Sequence, residues 1–331
     1  MVDQGHDSRP TPTQSSFAGD PAQAWSLRRA VDALAHAARD AGRPSSLWLA
    51  GLLYPSIGLG LLAGLANLLV DGNAALGLVA AGDRESLFQT VGYTLGGAFG
   101  LVLMTPLLFF VFRLQAGLAR IAPPAVWAEI SRISGPPRLR HAWRAGRGLT
   151  AAAGGLNVLL IVTMGAVLAL VCLPIVFLWE GLYNNIGKEF GAMIWLGVLL
   201  PGLAFLSIYA VLLSILQLLA LQSLASNKRG VASALTHAWR LAKHDPWSTG
   251  RTVAVGLMLD LAISVLSVGL SLLGDILPVG ETLVVGLATM ALLGFAGVTR
   301  AGYWARAYQA LGGWSTQACR PEIELVSPGG S

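Results

Sequence analysis

Residues 148–179 read GLTAAAGGLNVLLIVTMGAVLALVCLPIVFLW, 32 consecutive positions without a charged side chain. A helix rises about 1.5 Å per residue, so about 20 apolar residues cross a hydrocarbon core of about 30 Å. This run therefore reads as a membrane span. Residues 44–70, 86–112 and 190–227 are equally free of charge. Residues 252–274 are broken only by Asp260, and 282–299 add a sixth run. The pattern predicts an all-α, polytopic membrane protein with six transmembrane helices. The run 190–227 is too long for one straight span. A kink at Pro201-Gly202, or a helical exit from the membrane at Gln217 and Gln222, would absorb the excess.

The whole chain agrees with that reading. It has 331 residues, of which 54% are hydrophobic and only 12% charged, with 40 glycines. Soluble domains carry about 25% charged residues. A soluble enzyme and a disordered chain are both excluded. The net charge of +5 does not mark a nucleic-acid binder, because the basic residues sit in short patches between apolar runs. Residues 1–20 are polar, lack the apolar core of a signal peptide, and read as a disordered cytoplasmic tail. Residues 312–331 read as a flexible cytoplasmic tail. Cys172 and Cys319 are far apart in this topology and read as small apolar side chains rather than a disulfide.

Charge sets the orientation. Twenty of the 22 lysines and arginines fall in four segments: 1–43, 113–147, 228–251 and the tail after 299. The three other connections hold only Arg84 and Lys188 beside seven acids. Positive charge stays on the cytoplasmic side. Both termini are therefore expected in the cytoplasm, as an even number of spans requires.

One tetrapeptide recurs. His36-Ala37-Ala38-Arg39 matches His141-Ala142-Trp143-Arg144 and His237-Ala238-Trp239-Arg240. Each copy precedes an odd-numbered span on the basic side. The expected unit is a cytoplasmic amphipathic helix followed by a helical hairpin, used three times over about 21–122, 136–228 and 231–311. In the first copy, Asp20 and Pro21 are expected to start the helix, with Gln23 completing the cap. Leu27, Val31, Leu34 and Ala38 are expected to form its buried face, and Gly42 and Pro44 to end it. Asp245-Pro246 is expected to end the third copy and to start the fifth span. Trp48 and Trp247 fall where indoles favour the interface.

The helix reading His-Ala-Trp-Arg-Leu-Ala-Lys-His-Asp-Pro-Trp (237–247) resembles a repeated element of certain prokaryotic multi-span membrane proteins. These include the membrane domain of the glycerophosphoryl diester phosphodiesterase type and related families of unknown function. The resemblance covers residues 24–311 as repeats and implies a bacterial cytoplasmic membrane protein. The soluble phosphodiesterase barrel, with its metal-binding acids, is absent, so no phosphodiesterase residue carries over. Mitochondrial carriers also use three hairpins, but Pro174 lacks their acid and base neighbours.

Three uses compete for the amphipathic helices. They lie in the interface against anionic lipid, they dock a cytoplasmic or membrane partner, or their histidines converge on a site. The first is favoured, and against the third stands that nothing else in the cytoplasmic loops supplies good metal-ligand spacing.

Asp260 is the one acid inside a span. Asp260, Ser264, Ser267 and Ser271 are spaced 4, 3 and 4, with Thr252 and Gly256 extending the stripe. That spacing puts them on one helix face. The stripe is either a polar path or an interhelical hydrogen-bonding face with Asp260 paired to arginine. Arg113 and Arg300, at the cytoplasmic ends of spans two and six, are the candidate partners.

Glycine ridges at Gly60/Gly64, Gly92/Gly96/Gly100 and Gly297/Ala301 predict close helix packing, within the chain or in a homo-oligomer. No P-loop, zinc-protease helix, nucleophile elbow or cysteine-pair metal site is present. The expected protein is therefore non-enzymatic, without cofactor or metal. It would be a membrane-embedded component or accessory subunit handling lipid or solute. The alternative is a transporter core with its path along the Asp260 stripe.

Overall fold

A computed structural model describes residues 25–42, 45–52, 54, 108–185, 188–276 and 279–313. Among them the regular structure is all α-helix, with no strand. In chain order the helices are α1 (Leu27–Ala41), α2 (Leu47–Leu52), α3 (108–121), α4 (Pro124–Ser134) and α5 (Leu139–Ala145). They continue as α6 (Thr150–Asn185), α7 (Lys188–Asn227), α8 (Val231–His244), α9 (Pro246–Ile276) and α10 (Val279–Ala310).

Four helices are long and apolar enough to cross a membrane, through Thr150–Val171, Leu200–Asn227, Pro246–Leu270 and Leu283–Ala310. They correspond to the third to sixth expected spans. Most of the first two expected spans, with Gly60, Gly64, Gly92, Gly96 and Gly100, lies outside the described residues. So do the expected caps Asp20 and Pro21 and the tails 1–24 and 314–331. The long run resolves as one 40-residue helix, α7, with Pro201 inside it. Its Gln217 and Gln222 end is buried rather than emerging into solvent.

α6 packs on α7, and α9 on α10, as two hairpins. The short helices sit across them in a regular way. α8 packs on α7 and α6. α5 packs on α2 and crosses α3 so closely that a Cβ on Gly117 would lie 1.8 Å from the Ala142 carbonyl oxygen. α1 packs on α10 and α9, over two hundred residues away in sequence. Trp25, just before α1, donates its indole N–H to Thr252 Oγ1 at 2.9 Å, and Arg306 of α10 pairs with Asp40.

The face of α1 differs from expectation. Ala30, Ala33, Ala37 and Ala41 are buried, while Leu27 and Val31 are about half exposed. Close approach decides this. A Cβ on Gly302 would sit 3.3 Å from Ala37 Cβ, a separation that bulkier side chains on α1 would prevent. Leu27 and Val31 are left facing outward, while Leu34 is partly buried against the core. The cap also differs, because Ser26 Oγ accepts from Arg29 N–H and starts the helix. Gly42 ends it, as expected. At the third copy Asp245 caps α9 through Ser248 N–H, and Pro246 takes the first helical position. Those hydrogen bonds from Ser248 hold the Asp245 carboxyl below its usual range.

A similarly intimate contact joins α2 to α10. A Cβ on Gly297 would lie 1.9 Å from the Gly51 carbonyl oxygen, and one on Gly51 2.0 Å from that of Gly294. Gly297 and Ala301, the expected ridge, thus bring two backbones together within one chain. Lipid offers no hydrophobic drive between helices, so such contact supplies the dispersion energy of association.

Candidate functional site

Asp260 lies in the fourth turn of α9, and Arg300 lies on the facing surface of α10. Their side chains form an ion pair, 19% and 13% exposed respectively. Arg300 also donates to the Tyr54 carbonyl oxygen at 3.3 Å, tying α9 and α10 to the chain two residues beyond α2. The second candidate partner is elsewhere. The Arg113 guanidinium lies 3.8 Å over the Trp143 ring, and its Nε–H donates to the Trp143 carbonyl. The partly buried indole face and the backbone carbonyl of Trp143 hold it on α5.

The serines of the stripe differ in their surroundings. Ser264 Oγ is exposed and donates to the Asp260 carbonyl of its own helix. Ser267 Oγ is buried without a protein partner. Ser271 lies in α9, but its side chain is outside what is described. Thr252 is fully buried, held by Trp25 and by Tyr303, whose hydroxyl donates to the Thr252 carbonyl at 2.8 Å.

The motif residues divide by position. The middle alanines, Ala37, Ala142 and Ala238, are all buried. The arginines Arg39, Arg144 and Arg240 are all exposed, as is Trp239, while Trp143 packs against Arg113. The histidines do not converge. His36 is exposed. His141 accepts from Arg138 N–H at Nδ1 (2.9 Å), which places its proton on Nε2, facing Ser134 Oγ at 3.3 Å. Ser134 Oγ in turn donates to the Ile130 carbonyl, so His141 fastens α5 to α4. His237 donates through Nε2 to the Gly313 carbonyl at 3.3 Å and sits edge-on to Tyr308. Gly312 and Gly313, expected in a loose tail, are thereby anchored, with Asn227 also donating to Gly313.

Burial, followed by the neighbouring Arg140, Arg144 and Arg138 charges, lowers the His141 pKa below its ordinary value. Burial also lowers that of His237. Both are neutral in the folded chain at neutral pH. The unfolded chain then binds more protons as pH falls through about 6.5, so this stability is present above that pH and lost below it. Acidification from pH 7.5 to 5 is expected to lower the hydrogen-exchange protection factors, taken relative to the intrinsic rate at each pH, in α5 and the 311–313 turn. In His141→Gln, α5 should lose that pH dependence while the turn keeps it.

One polar group escaped sequence reasoning. Asn157 on α6 donates to Gln115 Oε1 on α3 and accepts from Gln217 Nε2 on α7, both at 2.8 Å. All three side chains are buried, so three helices share one amide chain. The signal was Asn157, the lone amide of the run 148–179, which lipid would not tolerate unpaired. Beside this, the fully buried Tyr54 hydroxyl and Gln222 amide lie near each other without a direct hydrogen bond. Among the described residues, no group of three His, Cys, Asp or Glu is placed to hold a metal.

No family model, curated protein or solved structure matches the chain.

Proposed function

We propose that the chain is a non-enzymatic component of the bacterial cytoplasmic membrane, with six spans and both termini in the cytoplasm. Its three helix-plus-hairpin units close into a ring, with anionic lipid at its cytoplasmic face. On this reading it serves as an embedded or accessory subunit handling lipid or solute.

The docking of the short helices carries the reading. α5 rests on the helices at the ends of the first hairpin, α8 on both helices of the second, and α1 on both helices of the last. Each cytoplasmic helix thus covers the hairpin before it, and α1 completes the cycle. Equivalent alanines are buried and equivalent arginines exposed at each position. Asp260 is engaged by Arg300, which favours a structural role over an open path.

Topology is tested with single cysteines in a Cys172→Ala/Cys319→Ala background. An impermeant maleimide on intact spheroplasts should label Asn73→Cys and Gly280→Cys but not Ser131→Cys or Ser233→Cys. The opposite pattern would reject the proposal. Function is tested by purification from native membrane, where specific lipids or membrane proteins should co-purify in fixed ratio.

A transporter core is the second reading, favoured by the buried amide chain and the unpartnered Gln222 side chain. Labelling of Ser267→Cys by a small water-soluble thiol reagent would support it, and protection would support the first.

A further inference from the structure

On the cytoplasmic side a cleft of about 460 Å³ opens between α1, α2, α4 and α10. Its size is that of a small-molecule site. We propose that it holds the phosphodiester headgroup of an anionic phospholipid, an inference that rests on the membrane placement above.

The lining is amphiphilic by halves. Arg39, Arg306 and Asp40 supply the charge, and Trp48 and Trp127 supply much of the apolar wall. Arg306 is already committed, since it pairs with Asp40 and donates to the Gly302 carbonyl at 3.1 Å. Arg39 forms no side-chain hydrogen bond or ion pair with the described residues, so its guanidinium is available in the cleft. The net charge of these three groups is one positive. A phosphodiester carries one negative charge, so the two match, whereas inorganic phosphate brings about one and a half to two at neutral pH. Guanidinium takes phosphate oxygens in bidentate fashion.

The walls suit the rest of a lipid. Trp48 is fixed by its indole N–H on the Ala41 carbonyl at 3.0 Å and by an edge contact with Phe295. It stands at the start of the first expected span, where indoles meet headgroups. The neighbouring α1 leaves Leu27 and Val31 exposed, consistent with a helix lying in the same interface. Arg144 and Arg240, equivalent in the motif, do not line this cleft, so they serve as internal controls.

The test uses full-length protein in nanodiscs and native mass spectrometry after detergent release. Wild type should retain about one phosphatidylglycerol selectively over phosphatidylcholine. Arg39→Gln should weaken retention about tenfold, and Arg240→Gln should leave it unchanged. Ala128→Phe, which fills the cleft without altering charge, should abolish it. Thermal protection by phosphatidylglycerol, but not by inorganic phosphate or glycerol 3-phosphate, identifies the source as lipid. Equal retention in Arg39→Gln and Arg240→Gln, or equal protection by free phosphate, would overturn the proposal. If it fails while the protein stays monodisperse with the predicted topology, the membrane placement stands.

Discussion

Asp260→Leu is expected to lose most of the folded protein recovered from membranes, whereas Asp260→Asn retains a majority. The difference follows from what each leaves behind. Leucine strands the Arg300 guanidinium between α9 and α10, where it is only 13% exposed. Removing one partner of a buried pair costs roughly 3–5 kcal/mol, chiefly the desolvation of the abandoned charge. Asparagine keeps an oxygen that accepts from Arg300, so the bond stays charge-assisted by the guanidinium and only the acceptor's charge is lost. Asp260→Leu/Arg300→Met should recover much of the loss, since neither charge then remains. Fluorescence-detected size exclusion across a temperature series checks all three. Equal tolerance of leucine and asparagine would show that the pair is not what holds α9 to α10.

Gly297→Leu is expected to detach α2 from α10 and, with Gly117→Leu at the α3–α5 crossing, to be among the most damaging glycine substitutions at the described positions. Even the first added carbon would lie 1.9 Å from the Gly51 carbonyl oxygen and 2.8 Å from its Cα, so backbone rather than a side chain must move. Overpacking of this kind costs typically 1–3 kcal/mol, and leucine adds three more carbons. Gly165→Ala and Gly286→Ala provide the contrast. Nothing lies within 4 Å of a Cβ at either site, so alanine should raise helix stability by roughly 0.5–1 kcal/mol. Thermal midpoints in one detergent read all of these. A Gly297→Leu protein as stable as wild type would mean that the α2–α10 contact is loose.

The membrane class was legible because it rests on the summed cost of burying charge, which no local context reverses. Long apolar helices accordingly appear at the third to sixth expected runs. The Asp245-Pro246 start of α9 was legible because caps are local chemistry. The Asp260–Arg300 pair was half legible: a buried acid needs a cation, but the sequence offered two arginines. Only packing showed that Trp143 claims Arg113.

Other features depend on tertiary approach. In α1 the hydrophobic pattern favoured Leu27 and Val31 as the buried face, yet Ala33 and Ala37 are buried against α10. Where backbones meet at a glycine, small size outranks apolarity. α4 was missed because it lies between apolar runs, although Pro124 at its first position and Val126, Ile130 and Ile133 at helical spacing announce it. The Gln115–Asn157–Gln217 chain was missed because each amide is unremarkable alone and becomes a network only when three helices meet. These residues explain why spans are easier to read from sequence than the surfaces between them.

Ring closure by α1 is tested most directly by a disulfide between Ala37→Cys and Gly302→Cys, introduced after Cys172→Ala and Cys319→Ala. The relevant Cβ positions are 3.3 Å apart, close to the span a disulfide bridges. Oxidation of native membranes should give a rapid intramolecular cross-link that holds the two halves of the chain together after proteolysis between them. Failure to cross-link, or cross-linking only between separate chains, would contradict the closed arrangement.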